Sequence, residues 1–333
     1  MNRFLALMLI AVMPLVAQRP IIRAGVDLVI VPASVRDSKG VFIYGLMKED
    51  FQIFEDGTPQ EIRGFGVETL PLSVVLLIDT GMDGPSLGRV AAANRSLKGA
   101  FKDGDEVETY RFDHIVDKLF DFAPSPIDFE KKLATIKSIA DRQTNRPTSV
   151  PILPGRGPSW LRRVLMLDAG IDYKDLNDPL YAEASDLATR PMERRKVIMI
   201  ISDGQVADGA TLFSKGKAVH TFAHTRDRLV QDQVQVYAIS MGNALLEGPS
   251  SILHAYAEAT GGEVYGGRTQ DSLESAIASI TEQARRQYVL TYVSNNENSG
   301  LLPVTRKIEV KATSQSPLTV SHRKSYLQYP RPK

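Results

Sequence analysis

The chain has 333 residues, 43% hydrophobic and 24% charged, a composition that builds a core rather than a disordered polymer. Its 40 lysines and arginines meet 39 aspartates and glutamates, and the formal charge of +1 excludes a broad electrostatic footprint for nucleic acid. No cysteine occurs, which excludes disulfides, thiolate catalysis and a lipid-modified N-terminal cysteine.

Residues 1–17 carry Arg3, then an apolar run from Phe4 to Val16, then the small Ala17, the pattern of a cleavable secretory signal. The expectation is export, to the periplasm, the cell envelope or the extracellular space. Retention as an uncleaved anchor competes with it, because Leu15 is not the small residue that a signal-cleavage site prefers. No later segment reaches the ~18 apolar residues of a membrane span, so the mature chain is expected to have none.

Val26 to Arg36 alternates like a half-exposed strand, and Asp37 to Gly40 is turn chemistry. Phe51 to Glu55 alternates again and runs into Asp56-Gly57, the strongest short hairpin signal. Gln60 to Val67 reads as the returning strand. Three short strands bury little surface alone, so they are expected to borrow strands from elsewhere. Ser73 to Ile78 is a continuous apolar run, a strand buried on both faces, and it stops abruptly at Asp79.

Leu87, Val90, Ala91, Leu97 and Phe101 predict one helix over Pro85 to Phe101. Glu106 to Phe112 and Ile115 to Phe122 read as paired strands, and Phe129, Leu133 and Ile136 mark a helix over Pro126 to Ile139. Residues 140–158 read as a long loop. Ser159 to Leu187 reads as helix in two pieces, Lys196 to Ser202 as a second buried strand ending at Asp203-Gly204, and Phe213 to Val230 as a polar helix. Val234 to Met241 is a third buried strand, Ile252 to Thr260 a helix stopped by Gly261-Gly262, and Glu263 to Tyr265 a short strand. Leu273, Ile277, Ile280 and Ala284 mark the last helix.

From Leu72 on, strands and helices alternate, which implies an α/β fold with a doubly wound, mostly parallel sheet. Beyond Arg286 the code reverts to strand alternation at Gln287 to Val293, Arg306 to Lys311 and Leu318 to Ser321. These are expected to pair with the N-terminal strands, giving a small antiparallel β-sandwich built from both chain ends. The expected division is residues 26–70 and 287–326 for the sandwich, with 71–286 inserted as the α/β domain.

Several strings together resemble one family: DFQIFEDGTPQEIRGF from Asp50 to Phe65, PLSVVLLIDTG from Pro71 to Gly81, MIISDG from Met199 to Gly204, VYAISM from Val236 to Met241, ATGGEVY from Ala259 to Tyr265, then QYVLTYV and RKIEVKA. The central domain resembles a von Willebrand factor A (VWA) domain, and the chain after Val26 resembles the VWFA-related proteins of acidobacterial type. The resemblance implies a VWA/Rossmann-like sheet and a protein-binding role of the adhesion or scaffold kind. In that family a hard cation is held at the carboxyl edge of the sheet by a DxSxS motif, a threonine and a later aspartate.

Carried over by residue, Asp79 matches the first aspartate and Asp203 the last. The two serines fall on Gly81 and Asp83, and the threonine on Asp178. The implied site is therefore degenerate: four carboxylates, Asp79, Asp83, Asp178 and Asp203, that offer oxygen to a divalent cation (Mg2+, Mn2+ or Ca2+) but lack the hydroxyl ligands. Gly81, Asn177 and Gly204 belong to the edge that would meet a protein partner. The ordinary reading of such acids is capping and turn formation.

Other constellations carry less. Gly84 to Gly88 satisfies G-x-S-x-G, which offers Ser86 as a hydrolase nucleophile with Asp203 and His254, although five residues and Pro85 separate it from the strand end. His220 and His224 are four apart but have no glutamate between them, and Gly209 to Lys217 lacks the Ser/Thr of a phosphate loop. Trp160 beside Arg162 and Arg163 is either a partner anchor or core. The reading is a non-enzymatic, exported protein-binding module; a Ser86 hydrolase and a structural envelope protein are its competitors.

Overall fold

The computed structural model describes residues 28–113, 116–125, 128–144, 176–204, 220–241, 252–314 and 317–330. Strand β1 (Leu28–Arg36) buries Val29, Val31, Ala33 and Val35, so its alternation is the one predicted. Strands β2 (Phe51–Glu55) and β3 (Thr58–Gln60) form a hairpin. Its turn residues Asp56 and Gly57 sit at φ 48° and 81°, the left-handed pair that a tight hairpin turn with the native twist requires.

The single strand expected from Gln60 to Val67 is split at Glu61. Upstream, β3 stays with β2; downstream, β4 (Ile62–Thr69) pairs with a C-terminal strand in a different sheet. Gln60 and Ile62 are both buried around the exposed Glu61, which is how one chain passes between two sheets while keeping a shared core.

Strand β5 (Leu72–Asp79) is buried at all eight positions. The one helix expected after it is two, α1 (Gly84–Ala92) and α2 (Asn94–Ala100). Ala93 divides them: its N–H reaches both the Arg89 and the Val90 carbonyl, at 3.0 and 3.1 Å, which tightens the last turn and ends the helix. Strands β6 (Glu106–Phe112) and β7 (Val116–Pro124) follow, then α3 (Phe129–Thr144), which continues past Ile139 because Ala140 packs into the core.

Helix α4 (Asn177–Ala188) leads to β8 (Arg195–Ser202), and α5 (Phe222–Gln231) to β9 (Gln235–Ser240). Then come α6 (Ile252–Thr260), β10 (Val264–Gly266) and α7 (Gln270–Arg285). Gly261 ends α6 at φ 83°, and a Cβ on Gly262 would lie 2.0 Å from the Val236 carbonyl, so both glycines of that stop are required. Of the loop read over 140–158, residues 140–144 are instead the last turn of α3; its remainder, the helical piece with Trp160, Arg162 and Arg163, the segment Gly209 to Lys217, and the signal lie outside the described residues.

The large sheet has the order β10-β9-β8-β5-β6-β7, parallel except for β7. Alternate side chains of β5 feed opposite cores. Val74, Leu76 and Ile78 pack with α1, α2, α3 and α7, while Val75 and Leu77 pack with α4, α5 and α6. The sheet is thus covered on both faces, as its unbroken apolar strands predict.

Strands β11 (Arg286–Val293), β12 (Val304–Ala312), β13 (Thr319–His322) and β14 (Ser325–Gln328) complete two four-stranded antiparallel sheets. Their orders are β13-β1-β11-β4 and β14-β12-β2-β3, so each combines strands from both chain ends. The two share a core that includes Val31, Ile53, Tyr288, Leu290 and Val310. Strand β14 was not anticipated; Tyr326 and Gln328 are its buried residues.

The α/β segment leaves and re-enters this unit at one place, where Thr69 lies opposite Arg286. Beside that junction Arg285 makes a two-pronged bond to the fully buried Asp105, at 2.9 and 2.6 Å, and Asp105 also accepts the Leu72 and Lys102 N–H groups at 2.8 Å each. Burial pushes that carboxyl upward, but the Arg285 and backbone donors outweigh it and hold it below the usual carboxylate range.

Candidate functional site

Two parallel strands lie side by side at the centre of the sheet, with Ile78 opposite Ile201, so the loops after β5 and β8 emerge as neighbours. The strand order reverses between them. That makes their carboxyl ends the switch point where open α/β sheets place ligands. Asp79 is fully buried there and ties the two ends together: its Oδ2 accepts the Ser202 hydroxyl at 2.8 Å and its Oδ1 the Gly81 N–H at 2.9 Å. On the other side, Thr80 donates its N–H to the Phe112 carbonyl at 2.7 Å and its hydroxyl to Asp113 at 3.3 Å.

Two of the remaining acids have local work. Asp83, exposed, is the N-cap of α1 and accepts the Ser86 N–H at 2.6 Å. Asp178, in the first turn of α4, accepts both the backbone N–H of His220 at 2.8 Å and a contact from its Nδ1 at 2.9 Å. The His220 ring stacks on Tyr181 with centroids 3.7 Å apart. Asp203 and Gly204 follow β8 half-buried, with Gly204 N–H donating to Ser202 Oγ at 3.1 Å. Asn177 is buried: its Oδ1 accepts the Tyr256 hydroxyl at 2.6 Å and its carbonyl the Thr225 hydroxyl at 3.1 Å.

The donor set fits a small octahedral cation poorly. Gly81 supplies no side chain, Asp83 and Asp178 each spend an oxygen on a backbone N–H, and the hydroxyl at hand, Ser202, donates to Asp79.

Two other sequence patterns resolve into structure. Ser86 lies inside the first turn of α1 rather than at a strand end, and its Oγ accepts from Arg89 at 2.9 Å. Gly84 is a packing glycine, since a Cβ there would meet Thr144 Oγ1 at 2.1 Å where α1 crosses α3. The pair His220 and His224 does not share a helix face, because Thr221 is the N-cap of α5 and His220 precedes it. A cleft of about 450 Å3 lined by Phe51, Phe54, Pro59 and Ile62 belongs to the sandwich and not to the carboxyl edge.

A second acidic group went unnoticed in the sequence. Glu108 on β6 and Glu183 and Asp186 on α4 bring one carboxylate oxygen each within 4.8 Å of one another. Burial drives the Glu183 carboxyl up to about 9, with the charges of Glu108 and Asp186 adding to it, and it raises Glu108 as well, where Lys118 partly offsets the rise. The signal was present: Leu180, Ala184 and Leu187 are the apolar stripe of α4, and Glu183 sits on that stripe.

No protein-family model matches the chain, and no curated protein matches it. Its fold is similar to solved structures. One is a von Willebrand factor type A protein from Catenulispora acidiphila, 11% identical, covering 82% of this chain and 74% of that one with a TM-score of 0.41. Another is an aerotolerance-related membrane protein from Bacteroides fragilis, 14% identical over 64% of this chain and 99% of that one, TM-score 0.37. A manganese-loaded TRAP protein from Plasmodium vivax is 12% identical over 78% and 96%, TM-score 0.37. The neighbours include the family that the sequence resembles, and at this overlap they carry nothing about the site.

Proposed function

We propose that the chain is an exported, non-enzymatic protein-binding module that meets a protein partner at the carboxyl edge of its six-stranded sheet. The reading is carried by one observation: the strand order reverses between β8 and β5, and the buried Asp79–Ser202 bond locks the two loop origins together at that point. The binding edge consists of Gly81, Asp83, Asp178, Asp203 and Gly204, with the buried Asn177, bonded to Tyr256 and Thr225, beside Asp178 at the start of α4. Binding there rests on shape and local charge, since the chain has almost no net charge with which to steer a partner. Among the described residues no helix is long and apolar enough to cross a membrane.

Photo-crosslinking from two exposed positions tests this. Pro85 lies beside the edge, and Met192, 76% exposed, lies in the turn before β8 at the opposite end of the sheet. A photoreactive residue at 85 is expected to capture one protein species, competed away by the unlabelled chain, and at 192 to capture none. Capture from 192 alone, or equally from both, overturns the reading. Fractionation of the producing cell should find the chain outside the cytoplasm.

A further inference from the structure

Glu183 is fully buried, and neither of its carboxylate oxygens has a hydrogen-bond partner among the described residues. Glu108, 1% exposed, is half answered: Oε1 meets Lys118 Nζ at 2.6 Å, while Oε2 has no hydrogen-bond partner among the described residues. Asp186 completes the group and opens it to solvent, with its side chain 44% exposed; its Oδ2 accepts the Tyr110 hydroxyl at 2.8 Å and Lys118 at 3.2 Å. Three orphaned oxygens on two buried acids are not a packing solution, because an apolar residue would fill the same volume without desolvating a carboxyl group.

We infer that Glu108, Glu183 and Asp186 form a site for a hard divalent cation of the Ca2+ kind, between β6 and α4. Charge balance supports a divalent ion. Once Glu183 gives up its proton to the ion, three carboxylates face one ammonium, that of Lys118, which the exposed Asp121 also holds at 3.3 Å, so at least two negative charges are left to neutralise. The donors are all oxygen, which selects a hard ion, and a span within 4.8 Å matches two Ca–O bonds of about 2.4 Å placed across the ion. Lys118 reaches in from the edge strand β7 with 37% of its side chain exposed, so it shares the opening rather than sealing it. The site is separate from the carboxyl edge: Glu108 precedes Phe112, the residue opposite Asp79, by four residues of strand, about 13 Å. It stands or falls independently of the proposed binding role.

Terbium luminescence on the whole chelator-treated chain is the test, because Tyr110 touches Asp186 and would sensitise a bound Tb3+. Saturable tyrosine-excited emission with one ion per chain, displaced by Ca2+, is expected. Glu183→Gln and Asp186→Asn should each weaken it by more than about tenfold. Tyr110→Phe should lose most of the emission while calorimetric Ca2+ binding persists, and Asp79→Asn should change neither. No emission and no Ca2+ heat, emission that survives Glu183→Gln, or loss confined to Asp79→Asn overturns the site. Glu183→Gln is isosteric and neutral; should it nonetheless fail to fold by circular dichroism, Asp186→Asn at the exposed mouth decides the matter.

Discussion

Glu55 and Glu183 are both glutamates with no exposed surface, one in the sandwich and one under helix α4, and their surroundings are opposite. Glu55 is saturated: Tyr292 and Ser294 donate at 2.7 Å each, Asn296 at 2.6 Å and Tyr326 at 3.0 Å. Those donors come from β11, the segment after it, and β14, so the carboxylate stitches the C-terminal strands to β2. Glu183 receives no donor among the described residues. Burial alone therefore does not say what a buried acid is for. A carboxylate with every lone pair answered is a structural tie, whereas one with none answered is a demand for a proton or a cation.

Breaking the satisfied member should have the largest effect. Glu55→Ala leaves four donors facing a cavity in the sandwich core, and the expected loss is about 3–5 kcal/mol, the range for removing one side of a buried charged network. Chemical denaturation would show it as a lower midpoint, with Tyr292 and Tyr326 becoming exposed together. A loss below about 1 kcal/mol would mean that the four bonds barely exceed what the same groups gain from water.

His322, also in the sandwich, sharpens the comparison through pH. It is 2% exposed, its Nε2 accepts the Val310 N–H at 3.2 Å and its Nδ1 meets the Arg323 carbonyl at 2.8 Å. Burial, reinforced by the Lys324 charge, lowers the ring to about 4. A depressed folded-state pKa means that the unfolded chain takes up the proton first. Stability is then complete above the ordinary value near ~6.5 and is lost as pH falls from there to about 4, by up to about 3 kcal/mol. Unfolding midpoints measured across that window should fall for the native chain and stay flatter for His322→Gln.

The fold was largely legible because it is written in short-range signals. Leu72–Asp79 could be nothing but a covered strand, Asp56-Gly57 could only turn, and the reversion to alternation after Arg286 demanded strands to pair with. What escaped was whatever depends on partners distant in sequence. The break at Ala93 arises from a tightened turn, the split at Glu61 from a change of sheet, and β14 from a pairing with β12 that Ser325–Gln328 do not advertise. At the candidate sites the same limit holds. A strand-end aspartate such as Asp79 declares itself, since it interrupts an apolar run. Glu108 does not, because in Glu106–Phe112 the acids alternate with apolar residues like an exposed face, and only α4 packing on that face buries it.

The smallest expected effect has the most telling sign. In chelator, Glu183→Gln should stabilise the protein at neutral pH, whereas removing a buried carboxylate normally harms. The folded-state carboxyl titrates near 9, far above its unfolded value, so the folded chain holds a proton at pH 7 that the unfolded chain has already released. Such a raised acid subtracts stability as pH climbs from about 4.5 towards 9, by about 3 kcal/mol at pH 7 before any discount. Glutamine escapes that penalty but leaves an unpartnered amide in the same place, which costs about 1–2 kcal/mol. A net gain of about 1–2 kcal/mol is expected at pH 7, growing as pH rises towards 9 and vanishing near pH 5. Adding Ca2+ should reverse the order, because the ion stabilises the chain that keeps its ligand and does nothing for the one that has lost it. Glu55→Gln, put through the same pair of conditions, should be destabilised in both.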